Sequence, residues 1–217
     1  MQSAPLGVRD GRDAMTAAMR SAANAASTGE LLDAQTAAGA AAAPFGLTGR
    51  LPFGPIMGLD PLPAVSDADD RLADAARRIE LLIGHTRNDG APFVAMDPRI
   101  ARTKRLGPLG DVIERAASAA LTRRVFRVPA RRLAKAWRGY GGRSATFLVN
   151  WSPPRAPMGS CHCIELPLLF DAPAWADAPM LGGHPVDDRL AETMRRNWAG
   201  FAHHGVAGLD SPAMRFG

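Results

Sequence analysis

Two short segments limit what this chain can fold into. RIELLIGHT (78–86) and SATFLVNWS (144–152) are the only stretches that read confidently as strands. The first is an apolar run bounded by polar residues, and the second is rich in β-favouring residues. Nearly everything around them has helical character or is broken by Gly and Pro. Residues 67–78 and 96–138 read as helices, the latter with breaks at Pro98, Gly107-Pro108, Gly110 and Pro129. Residues 185–205 read as a closing amphipathic helix, with Leu190, Met194, Trp198 and Phe201 on one face and Gly205 as its C′ residue. Residues 11–45 are helical in character, with a second helix starting at Ser27 or Thr28, and 46–64 form a Gly/Pro-dense loop. This order implies an α/β fold, but two strands make a poor sheet.

Composition supports a folded chain: 217 residues, 47% hydrophobic and 22% charged. Net charge is +5, and only Lys104 and Lys135 are lysines among 26 basic residues. That skew towards arginine makes the basic balance weak evidence for nucleic acid. Arg123, Arg124, Arg127, Arg131, Arg132, Lys135 and Arg138 cluster in one segment, without an aromatic platform or recognition motif, so a solvated helical face is expected and no nucleic-acid partner. No secretory h-region or long apolar run occurs, so the expected setting is cytoplasmic and reducing, with no membrane partner. Cys161 and Cys163 are then free thiols. Cys161-His162-Cys163 lacks the spacing of a zinc site, and no metal or cofactor is expected.

Two residues stand out chemically. Asp89 lies on a tight turn after the first strand, and His162 lies in a loop after the second. In open α/β sheets functional residues gather at the carboxyl ends of strands. An acid followed by a histidine is the back half of a Ser…Asp/Glu…His order. In such a triad the carboxylate fixes the imidazole tautomer, and the imidazole takes the proton of the nucleophilic hydroxyl.

The residues around both positions resemble the type-B carboxylesterase family of α/β-hydrolases. GSCHCIELPLLF (159–170) is similar to the family's catalytic-histidine segment, G-A-x-H-x-x-E-L-P, through His162, Glu165, Leu166 and Pro167, with Phe170 at the closing aromatic. LLIGHTRNDGAPF (81–93) is similar to its acid segment through Gly84, Thr86, Asn88, Gly90 and Phe93, with Asp89 where the family usually has Glu. VFRVPARRLAKAW (125–137), FLVNWSPP (147–154), GRLPFGPIMGLDPLP (49–63) and the WAGFAHHG end of the last helix match further family segments in order.

The resemblance covers residues 25–205 and implies the C-terminal part of an α/β-hydrolase: the last strands of the sheet with flanking helices, the sheet incomplete. Residues 1–217 are expected to form this portion of one domain, with 1–24 a poorly defined N-terminal segment. His162 and Asp89 are the implied catalytic pair, and Glu165 is expected to hydrogen-bond near the histidine loop. The family's G-x-S-x-G nucleophile elbow and H-G-G oxyanion loop do not occur in these 217 residues; Gly142-Arg143-Ser144-Ala145-Thr146 lacks the closing glycine. The expectation is a carboxylic-ester hydrolase fragment that supplies acid and histidine and is inactive alone. It would act on a small-molecule ester once an N-terminal esterase half supplies the serine. The alternative is a non-catalytic, truncated or degenerate esterase-like protein acting, if at all, as a binding partner.

Overall fold

The structure is a computed structural model that describes residues 21–22, 24–42 and 57–217. The chain divides into two compact units, residues 1–65 and 66–217. The helical character of residues 11–20 and most of the 46–64 loop, including 49–56 of its family-like segment, lie outside the described residues.

The first unit is represented by α1 (Thr28–Ala42). Ser27 caps it. Its Oγ accepts from the Glu30 N–H at 3.3 Å, while the Glu30 carboxylate accepts from the Ser27 N–H at 2.8 Å. This reciprocal pair is a capping box, which satisfies donors that a helix start otherwise leaves open.

The second unit carries the sheet. Its elements run α2 (Ala68–Arg78), β1 (Leu81–Thr86), α3 (Ala91–Ala95), α4 (Pro98–Thr103), α5 (Pro108–Leu121), a π-turn (Thr122–Arg127), α6 (Val128–Gly139), β2 (Ser144–Val149), α7 (Glu165–Leu169), α8 (Asp188–His204) and β3 (Ala213–Phe216). The three strands lie in the order β1-β2-β3, all parallel. The sheet is therefore larger than the two strands expected. β3 is only four residues long, and its alternating exposed and buried residues show no apolar run.

Both expected strands are real but shorter than their apolar stretches. β1 starts at Leu81, where the Trp137 indole N–H donates to the Ile79 carbonyl at 3.2 Å and ties α6 to the strand's entry. β2 ends at Val149, before the Trp151-Ser-Pro-Pro turn. The helical breaks are partly corrected. Pro98 and Pro108 begin helices, where a missing N–H costs nothing, and Gly110 sits inside α5. A Cβ on Gly110 would strike the Thr103 carbonyl, so close packing against the preceding turn selects glycine there. Pro129 lies in the first turn of α6 rather than ending a helix. It cannot donate to the Val125 carbonyl, and the chain widens into the π-turn just before it.

One face of the sheet holds the core. Val149, Met214 and Phe216 pack with Ile164, Leu168, Leu181, Ala191 and Met194, joined by Leu82, Phe147 and Trp198. Met194 is buried on α8, flanked by Leu190 and Trp198, as their spacing predicts. The Trp198 ring meets Phe147 and Phe216 edge-on, with centroids 4.9 and 5.7 Å away. Beyond α8, Gly205 takes φ +62°, as expected of a C′ glycine, and the Val206 N–H donates to Glu80. Asn197, 2% exposed, donates from Nδ2 to the Asp210 carboxylate at 2.8 Å and accepts the Asp210 N–H at 2.9 Å. This closed pair fixes the turn that delivers β3 to the sheet. No helix among the described residues is long and apolar enough to cross a membrane.

Candidate active site

β1 and β2 end side by side, Thr86 opposite Val149, and the two loops that follow are stitched together. The Arg87 N–H donates to the Val149 carbonyl at 2.9 Å, and the Asn88 N–H to the Ser160 carbonyl at 2.8 Å. Ser160, fully buried, turns its hydroxyl back onto the Val149 carbonyl at 2.8 Å. A single bridge, Asn88 to Cys161, continues the parallel pairing past the strands. Residues far apart in sequence thus share a rigid platform at the carboxyl end of the sheet.

Asp89 and His162 meet on that platform. His162 Nδ1 lies 2.9 Å from Asp89 Oδ1. Asp89 is 3% exposed, and its second oxygen accepts the Thr86 N–H at 2.7 Å, so both carboxylate oxygens are engaged. The His162 side chain is 42% exposed, and its Nε2 makes no hydrogen bond among the described residues. The turn is locked from the other side by α5 and the π-turn. The Gly90 N–H donates to Thr122 Oγ1 at 2.8 Å, and a Cβ on Gly90 would come within 2.7 Å of the Ser118 carbonyl. Glycine is required there by close approach, not by turn geometry alone.

The imidazole rests against a stacked pair of aromatic rings. Phe93 and Phe126 each lie 5.3 Å from it, and 6.0 Å from one another. Phe93 belongs to the family-like acid segment. Phe126 escaped the sequence reading because the π-turn that aims it has no hydrophobic period of its own. The nearest signal was Pro129, three residues later.

Glu165 opens α7, three residues after His162. Burial raises its carboxyl above the usual range, the nearby Asp89 acts in the same direction, and its own backbone hydrogen bond and His162 pull it down. Its Oε2 is buried without a hydrogen-bond partner among the described residues, so the hydrogen bond expected near the histidine loop is not made by that oxygen. Burial likewise raises the thiols of Cys161 and Cys163, which leaves both as thiols near neutral pH. Both are free, Cys161 fully buried beneath the histidine loop. No metal-holding cluster of His, Cys, Asp and Glu occurs among the described residues.

A buried carboxylate on one ring nitrogen, with the other nitrogen open, is the arrangement of a general base. In sequence and fold the chain is similar to proteins named as hydrolases. Over 159 residues the chain is 33% identical to a probable N-octanoylanthranilate hydrolase, AqdA2, of Rhodococcus erythropolis, which covers 71% of this chain and 35% of that protein. A PNB esterase structure superposes with a TM-score of 0.50 at 23% identity, covering 66% of this chain and 35% of the esterase. The Est55 carboxylesterase of Geobacillus stearothermophilus gives 0.45 at 22%, over 73% of this chain and 39% of that one. No protein-family model matches. The chain thus spans about a third of the length of these relatives. Its fold is part of an α/β-hydrolase fold, and in sequence it is similar to a probable hydrolase of which it spans about a third.

Proposed function

We propose that this chain supplies the acid and the histidine of a serine-type carboxylic-ester hydrolase. Asp89 holds the His162 Nδ1–H and stabilises the imidazolium; His162 Nε2 takes the proton from a serine hydroxyl and later gives it to the leaving group. The observation that carries this reading is the 2.9 Å contact between a buried carboxylate and a half-open imidazole at the ends of adjacent parallel strands. Phe93 and Phe126 hold the ring's plane. The serine and the oxyanion donors would come from a polypeptide segment outside these 217 residues, an N-terminal esterase half. The substrate class is a small acyl compound. The similarity to a probable N-octanoylanthranilate hydrolase extends that class from esters to N-acyl aromatics.

The test is to co-express this chain with an esterase segment that carries a G-x-S-x-G elbow, then to label with a fluorophosphonate serine probe. Labelling that depends on His162, lost in His162→Ala, is the expected result. The same assembly, folded but unlabelled, would favour the non-catalytic alternative.

A further inference from the structure

The two faces of the sheet are used unequally. Phe147, Val149, Met214 and Phe216 face the core. By register, Ile83 and His85 of β1, Thr146 and Leu148 of β2, and Ala213 and Arg215 of β3 share the opposite face. These residues floor a groove of about 840 Å³, and α6 with the preceding π-turn forms its wall. Parallel sheets are stable when both faces are covered, and what covers them is helix.

The wall is strongly cationic. Arg123, Arg127, Arg131 and Lys135 recur every four residues along it, and Arg87, Arg138 and Arg215 complete the lining. Among the described residues no Asp or Glu lines the groove. Among the described residues, none of these seven cations forms an ion pair. Like charges four apart on a helix repel, so the wall is costly to the chain standing alone and is relieved by negative charge brought into the groove.

The geometry points to a docking site for an amphipathic helix from another polypeptide, with a ridge of small apolar residues on the floor and Asp or Glu along the flank that faces the wall. A nucleic acid satisfies the wall but not the floor, where Ile83 and Leu148 ask for apolar contact and no aromatic platform among the described residues stacks bases. The inference does not depend on what Asp89 and His162 do.

The experiment uses the whole chain and fluorescence anisotropy. The probes are a labelled helical peptide with a Leu/Ala ridge and Glu flanks, a scrambled peptide of the same composition, a Lys-flanked counterpart, and a single-stranded DNA oligonucleotide. The Glu-flanked helix should bind best. The double change Arg127→Glu/Arg131→Glu should weaken it roughly tenfold or more. Ala213→Arg, an exposed change on the floor, should weaken it as well without removing any wall charge. Arg124→Glu/Arg132→Glu, which alters the same net charge outside the groove, should leave binding nearly intact. Circular dichroism confirms that each variant is folded. Equal binding of the scrambled peptide, tighter binding of the oligonucleotide, equal loss in the Arg124/Arg132 control, or no binding of the Glu-flanked helix would each overturn the proposal.

Discussion

Asp89 does two jobs with two oxygens. One anchors the turn through the Thr86 N–H, and the other holds His162. In a complemented hydrolase, Asp89→Asn should lower kcat by about 10⁴ while leaving the assembly intact, because an amide offers the imidazole the wrong partner; steady-state hydrolysis of a chromogenic ester reads this directly. Glu165 gives a different prediction. Its raised carboxyl keeps its proton in the folded chain to a higher pH than in the unfolded one. Its contribution to stability is therefore full below the ordinary value of 4.5 and is lost as pH rises through the raised one. Glu165→Gln should flatten that decline in denaturant melts taken across the range, and a slope equal to wild type would remove the claim. At this scale the post-strand positions of Asp89 and His162 were legible, since each is a polar residue on a loop just after a readable strand. Phe126 was not, because its position depends on a backbone widening that no side-chain pattern announces.

Elements succeed or fail on how much of their character is local. β1, β2 and α8 carry their own apolar patterns, so their existence could be read. β3 could not. Its four residues become a strand only because β2 offers a free edge and the Asn197–Asp210 pair delivers the chain to it. Asn197→Ala should therefore cost about 1–3 kcal/mol, from losing buried hydrogen bonds, and hydrogen exchange should rise first in residues 213–216. Gly84 is equally specific. Phe147, its neighbour on β2, leans across it, and a Cβ there would strike both the Phe147 carbonyl and its ring. Gly84→Ala should cost about 1–3 kcal/mol by overpacking, measured by chemical denaturation. The apolar run at 164–170 carries no clear period of its own. Pro167 splits the apolar run in sequence, yet it is buried in the short helix α7, whose first turn needs no N–H from it.

Among the described residues the sheet is covered on one face and grooved on the other, with Asp89 and His162 paired at its carboxyl end. Among the described residues the main buried apolar cluster lies on one side of three strands. Spanning about a third of its relatives, the chain holds Asp89 and His162, the proposed acid and histidine of a triad, on loops bonded to one another. The most direct test of that claim reads the imidazole itself, in the isolated chain. Long-range ¹H–¹⁵N NMR of His162, at a pH where the ring is neutral, should show the proton on Nδ1 and a bare Nε2, with that preference lost in Asp89→Asn. A ring protonated on Nε2, or one indifferent to Asp89→Asn, would contradict the account.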